Sequence, residues 1–189
     1  MNTRKLSLLI GLSAIILALL ACTINVGGPA YPDQPIPVST EALGDFQSAM
    51  QTAAAAGVES GEITLVFTES QLTSYLANKL QAQSQPLFTD PQVYLSDGQI
   101  QIYGTARQGY LEATIAIVVT ASVNEQGQLK VELTSADFGP LPVPAGLNDA
   151  VTATIQEIYT GAIGPAAIGF RLESITVANG TMTILGRTK

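Results

Sequence analysis

The chain has 189 residues, with 15 acidic against 8 basic side chains, one cysteine, no tryptophan and no histidine. A net charge of −7 leaves no basic footprint for phosphate contacts, so nucleic acid is not an expected partner, and steering toward an anionic membrane surface is disfavoured for the same reason. Without histidine there is no serine triad of the usual kind and no imidazole metal ligand.

The first residues read as an address. Arg4 and Lys5 form a positive n-region, and residues 6–21 make an apolar run ending in Leu19-Leu20-Ala21-Cys22. The run is shorter than the ~20 residues of a membrane-spanning helix and is soon followed by Gly27, Gly28, Pro29 and Pro32, which suits a secretory leader over residues 1–21. Its end resembles the bacterial lipobox, in which the cysteine is diacylated and becomes the new N-terminus. Cys22 is the only cysteine, so it has no disulfide partner within the chain. Two acyl chains suffice for stable attachment. The expected product is therefore tethered to a bacterial membrane through lipidated Cys22, on the outer face of the cytoplasmic membrane or in the periplasm. The alternative is an ordinary signal peptide that leaves Cys22 as a spare thiol.

Residues 22–39 carry glycine and proline without periodicity and are expected to form a flexible tether, reaching about 50 Å at ~3.1 Å per residue. The other reading is that part of this stretch packs as an N-terminal strand. Residues 40–189 are expected to form a single α+β domain. Ser39 or Thr40 offers an N-cap, and Leu43, Phe46, Met50 and Ala53 recur at helical spacing up to Gly57. Ile63, Leu65 and Phe67 alternate as a strand, and Thr68-Glu69-Ser70-Gln71 fits a capping box that turns it straight into a helix with Leu72, Tyr75, Leu76 and Leu80 on one stripe.

Strands follow one another from Pro91. Val93 and Leu95 lead to an Asp97-Gly98 hairpin signal, and Ile100 and Ile102 lead away from it to Gly104, a candidate kink. In the stretch 110–123, Leu111, Ala113, Ile115, Ile117, Val119, Ala121 and Val123 are apolar and alternate with mostly polar residues. This is a strand of roughly 45 Å at ~3.3 Å per residue, well beyond the usual length. Its dry face must be covered lengthwise by a long helix, a second sheet or a bound ligand. The chain returns through Leu129, Val131 and Leu133, and the prolines from Pro140 to Pro144 end the meander. Leu147, Val151, Ile155, Ile158 and Ala162 mark a helix stopped by Gly164-Pro165, the best single cover for the long strand. Ile175 and Val177 lead to a turn at Asn179-Gly180, and Met182 and Ile184 return from it.

Little in this chain carries reaction chemistry. It has no Gly-x-Ser-x-Gly elbow, no glycine-rich phosphate loop and no Ser-x-x-Lys. Glu59 with Glu62, and Glu132 with Asp137, are conceivable carboxylate pairs, although scattered surface charge explains them better. Tyr75, Tyr94, Tyr103, Tyr110 and Tyr159 show no spacing that suggests a stacking platform. No catalytic residue, metal site or cofactor is expected, and the chain is not read as an enzyme.

The run from Ile63 to Leu76, with Phe67-Thr68-Glu69-Ser70-Gln71-Leu72 at its centre, resembles the strand-to-helix entry of the YpmS-like membrane-anchored extracytoplasmic proteins of bacteria. The likeness continues through the Asp97-Gly98 hairpin and the Gly139-Pro140-Leu141-Pro142-Val143-Pro144 stretch. In outline the order of elements is also similar to YceB-like lipoproteins and LmeA-like proteins, which have been likened to the tubular lipid-binding (TULIP) superfamily. The resemblance implies an α+β, TULIP-like fold in which a long twisted antiparallel sheet wraps around or packs on two to three helices and leaves an apolar groove. It defines no catalytic residues. The expected function is a lipoprotein that binds a lipid or another apolar ligand in a groove lined by Leu111, Ile115, Ile117, Val119 and Leu133. The alternative is a non-catalytic envelope scaffold that docks protein partners, whose identity the sequence does not give.

Overall fold

The computed structural model describes residues 24–163 and 170–188. The leader, the lipobox with Cys22, the Gly164-Pro165 stop and the side chains of Ile158, Tyr159 and Ala162 lie outside the described residues. In chain order the elements are β1 (Ile24–Asn25), α1 (Thr40–Ser60), β2 (Glu62–Thr68), α2 (Glu69–Gln81), β3 (Thr89–Ser96), β4 (Gln99–Gln108), β5 (Leu111–Val123), β6 (Leu129–Asp137), α3 (Leu147–Ile163), β7 (Phe170–Ala178) and β8 (Thr181–Thr188).

The strand β5 is the spine, as its alternation predicts. Ala113, Ile115, Ile117 and Val119 on its dry face are each 0% exposed. One edge pairs antiparallel with β4 from Gln108↔Leu111 to Gln99↔Thr120. The other edge is shared: β6 takes Ala116 to Val123 antiparallel, and β1 takes Leu111 and Glu112 in parallel. With β3 paired to β4, this makes a five-stranded sheet. Its near end carries the β4–β5 turn at Gly109, and its far end carries the β3–β4 and β5–β6 turns.

A second, three-stranded sheet in the order β2-β8-β7 crosses the far end. Backbone bonds fix the crossing: Gly98 N donates to Val177 O at 2.9 Å, Gly180 N to Leu95 O at 3.0 Å, and Leu172 N to Gly127 O at 2.9 Å. Each hairpin tip thus bonds a strand of the other sheet, which pairs backbone groups that would otherwise need other partners. The cover for the dry face of β5 is therefore divided between β7 and the helices, because the chain returns after α3 to build another sheet rather than extending the first.

The helices pack on the strands, α1 against β2 and α2 against β3, with α1 also touching α2 and α3. Their caps follow the sequence. Thr68 Oγ1 accepts from Gln71 N at 3.3 Å and Gln71 Oε1 accepts from Thr68 N at 2.9 Å, the reciprocal box that launches α2 from β2 without a loop. Because β3 is an edge strand, its outward N–H groups need partners, and α2 supplies them. Val93 N donates to Thr73 Oγ1 at 3.0 Å and Leu95 N to Glu69 Oε1 at 2.8 Å. Ser39 caps α1 through its hydroxyl, but Gly57 does not end that helix. Gly57 is buried inside it, and Gly61 takes the left-handed cap at φ 74°. Gly104 likewise stays in an unbroken β4 ladder; a Cβ there would meet the Phe88 ring, so the glycine makes room for packing rather than a kink.

Residues 24–39 are laid along this body. Ile24 N donates to Tyr110 O, Val26 N to Glu112 O and Thr114 N to Gly27 O, all within 2.8–3.0 Å. Further on, the Tyr31 hydroxyl donates to Asp90 O, the Tyr94 hydroxyl to Gln34 O, and Gln92 bonds both the N–H and the carbonyl of Ile36. Tyr103 sits between Tyr31 (6.0 Å between ring centres) and Tyr94 (5.7 Å, edge to face). These tyrosines do gather, on the outer face of the sheet, and what they hold is this strap. Burial raises the Tyr31 hydroxyl above its ordinary pKa, with the Asp90 charge adding to it. The packed N-terminal strand, the other reading of this stretch, is what Ile24–Asn25 form.

Candidate functional site

The inner face of the five-stranded sheet, the apolar stripe of α2 and the apolar face of α3 enclose two cavities. The deeper one, about 60 Å³, lies toward the far end, between β2 and β8 (Leu65, Phe67, Ile184), α2 (Leu72, Leu76) and Ile155 of α3. The other, about 90 Å³, lies toward the near end, with Ile117 and Ile102 from the sheet, Leu76 and Leu80 from α2, and Leu147 and Val151 from α3. The two share Leu76, Ile102, Thr154 and Ile155 in their walls. The second opens past Gln83, which is exposed, and Leu87, which is 38% exposed.

The periodicity of α3 explains why it roofs both. Leu147, Ala150, Val151, Thr154 and Ile155 follow the spacing of one helical face, and all five line the near cavity. Among the described residues Thr154 is the one hydroxyl there, and its Oγ1 donates to the Ala150 carbonyl at 2.9 Å, so it presents its methyl to the cavity walls at no cost in unmet hydrogen bonding. Outside the near cavity, and sharing Leu80 and Gln83 with it, is a wide groove of about 510 Å³ with Gln81, Thr89 and Asp90 on its lips. An apolar interior with a polar rim at one mouth suits a ligand that is apolar along its length and polar at one end.

The expected groove residues are spread along this arrangement. Ile117 lines the near cavity. Ile115 and Val119, on the same face beside it, are fully buried in the core. Leu133 is half-buried on β6 opposite Val119 and packs against the core. Leu111 lies at the near end of the stripe and is 39% exposed. Cys22 lies outside the described residues. The walls that the strand periodicity did not single out come from α2, α3 and the crossing sheet.

Among the described residues, carboxylates take no part in these cavities. Glu62 pairs with Arg187 at 3.6 Å, Glu132 with Lys130 at 2.8 Å, and Asp137 accepts from Gly139 N. Among the described residues no group of three or more His, Cys, Asp or Glu could hold a metal ion, and no helix is long and apolar enough to cross a membrane.

The LmeA-like phospholipid-binding family matches residues 34–187, which takes in all three helices and every strand from β2 onward. The chain belongs to that family. No curated protein sequence matches it significantly. Among solved structures, a lipopolysaccharide binding protein gives a slight similarity, with a TM-score of 0.23 at 10% identity over 79% of this chain and 46% of that one. The chain thus spans a little under half of that protein's length. The LmeA-like match agrees with the α+β fold of curled antiparallel strands around three helices.

Proposed function

We propose that this LmeA-like protein binds a phospholipid by taking acyl chain into the cleft beneath α3, while tethered outside the cytoplasm through lipidated Cys22. The carrying observation is the pair of adjoining cavities, walled almost wholly by apolar side chains, with α3 along one side of both. Family membership supplies the ligand class. At about 60 and 90 Å³, the cavities fall short of the roughly 300–1,000 Å³ of small-molecule sites. The arrangement is thus the closed form, and α3 moves outward to admit a chain. Such a step is inexpensive at a helix that buries one face and roofs space already empty, since few contacts break.

The test is photo-crosslinking of the full chain in phosphatidylcholine vesicles doped with a phospholipid bearing a diazirine on its acyl chain. Adducts are expected in the peptides of α2, β4 and α3 that carry Leu76, Ile102 and Ile155. Adducts confined to exposed residues would overturn the reading and leave a closed core, favouring the scaffold. The intact mass of the membrane-extracted chain reports separately on Cys22: cleavage before it together with a diacylglyceryl increment is expected.

A further inference from the structure

We infer that the near end of the molecule is a membrane-docking surface, with Ile24, Tyr110 and Leu111 seated in the interface of the bilayer, and that this orientation turns the mouth of the cleft toward the lipid. The inference rests on the lipid-binding reading for its purpose but not for its geometry.

Three observations carry it. The first is where the chain enters the body. Ile24 N is held by Tyr110 O at 2.8 Å, and Ile24 is the register partner of Leu111. Cys22 precedes Ile24 by two residues, which reach at most ~7 Å. Whether the membrane is held by acyl groups on Cys22 or by an uncleaved apolar run 6–21, the attachment ends beside the β4–β5 turn. The 50 Å tether expected from composition is taken up by the bonds of the strap.

The second is the distribution of exposed apolar side chains. At the near end Ile24 is 58% exposed, Tyr110 64% and Leu111 39%, with Val38 at 53% and Leu87 at 38% beside the groove and the cleft mouth. Val58 at 79%, Val66 at 47% and Leu185 at 37% are exposed on α1, β2 and β8, away from the point where the chain enters, and the turn at the opposite end of β5 is polar: Asn124, Glu125, Gln126, Gly127 and Gln128. A tyrosine at the tip of such a patch suits the interfacial region, where its ring is buried and its hydroxyl stays wet.

The third is charge. At the near end Arg107 is bound to Glu112 at 2.8 Å and Lys79, in the last turn of α2, has a partner of its own, while Lys130, Arg171 and Arg187 lie on β6, β7 and β8 and each contacts an acidic residue or a backbone carbonyl. The surface fits a neutral lipid interface, entered by burial of apolar groups rather than by attraction to anionic headgroups. Along β5 the inner stripe runs from Leu111 through Ala113 and Ile115 to Ile117 at the cavity, about 20 Å at ~3.3 Å per residue.

The chain holds no tryptophan, so a single introduced indole reports its own surroundings. Tyr110→Trp and Gln126→Trp, at opposite ends of β5, are placed separately in the full chain and reconstituted into phosphatidylcholine vesicles containing acyl-brominated phosphatidylcholine. The indole of Tyr110→Trp is expected to emit blue-shifted and to be quenched, with the signal unchanged in high salt, while that of Gln126→Trp stays red and unquenched. Equal quenching of both, no quenching at Tyr110→Trp, loss of the signal in salt, or a chain that washes off the vesicles each overturns the inference. Both substitutions are on exposed turn residues, and far-ultraviolet circular dichroism checks that the fold is kept. If quenching fails while the diazirine still marks α3, the docking surface is wrong and lipid binding stands. Quenching without cleft adducts means the reverse.

Discussion

Thr154→Leu separates a lipid cleft from a closed core. Thr154 lies in the wall shared by both cavities, and its hydroxyl is spent on a carbonyl of its own helix, which keeps its backbone partner when the hydroxyl goes. Leucine has four side-chain carbons where threonine has two carbons and an oxygen, and its branch point moves from Cβ to Cγ, which directs the two methyl groups into space already empty. At ~0.8 kcal/mol per buried carbon this is worth about 1.6 kcal/mol, and leucine's better helix propensity adds a few tenths. Against it stand the weak back-bond and some rotamer entropy, leaving about 1–1.5 kcal/mol of net stabilisation. For a chain of this size that raises Tm by roughly 2–6 °C, readable by circular dichroism. The same side chain stands where an acyl chain would pass, so the yield of cleft adducts from the diazirine lipid should fall sharply. A variant that loses more than about 1 kcal/mol would show that the cavities cannot accept two methyl groups. A stabilised variant with undiminished adducts would show that the lipid lies elsewhere. Either result refutes the reasoning.

The remaining predictions concern the scaffold that holds the cleft. Phe46, 0% exposed, packs its ring at 4.8 Å from Phe67 and 4.6 Å from Tyr75, so Phe46→Ala should cost about 3–5 kcal/mol in urea unfolding; a loss under 1 kcal/mol would mean that α1 is not part of the same core. Tyr31 has its pKa raised above 10.0 by burial and then by Asp90, so its contribution to stability is complete below pH 10 and is lost as pH rises through the higher folded value. Tyr31→Phe should therefore be weaker by about 1 kcal/mol at neutral pH, yet lose less stability between pH 10 and 12; an unchanged alkaline slope would remove Tyr31 from the strap. Gly28 sits at φ 126°, and a Cβ there would run into the Thr114 carbonyl. Gly28→Ala should thus destabilise by more than about 1 kcal/mol and speed amide exchange at Val26 and Thr114, whereas unaltered protection would show that β1 is not held as described.

Signals of short range survived into the structure with little change. Asp97-Gly98 and Asn179-Gly180 each hold positive φ at both residues, 52° and 76° in one and 53° and 74° in the other, because few residue pairs tolerate that hairpin geometry. The Thr68 capping box is equally local. The four antiparallel strands from β3 to β6 followed from the hairpin signals and the alternation in β5, whereas the fifth, β1, did not. The alternation could not show that β2, β7 and β8 would pair with one another, since a strand's pattern records which face is dry and not which neighbour it bonds. Gly57 and Gly104 misled for a related reason: glycine marks a turn when it supplies positive φ, but it also occurs where the chain is buried, at Gly104 against the Phe88 ring and at Gly57 inside a helix that runs on to Gly61.

The candidate site was legible in part, and the division has a physical cause. Burial of Ile115, Ile117 and Val119 follows from period two. Which of three equally apolar neighbours faces a void depends on differences of a few cubic ångströms in how α2 and α3 fill the space above them, and hydrophobic pattern carries no such information. The strap was hidden for the opposite reason. Its contacts are backbone bonds to β5, a glutamine and three tyrosines, none of which leaves a period in the sequence. The LmeA-like match begins at residue 34, so β1 and Tyr31 precede the matched span while the cleft lies within it. The proposed docking surface is thus built partly from residues outside the span that the family match covers. Docking and lipid binding can therefore be perturbed separately, at Gly28 and Tyr110 for one and at Thr154 for the other.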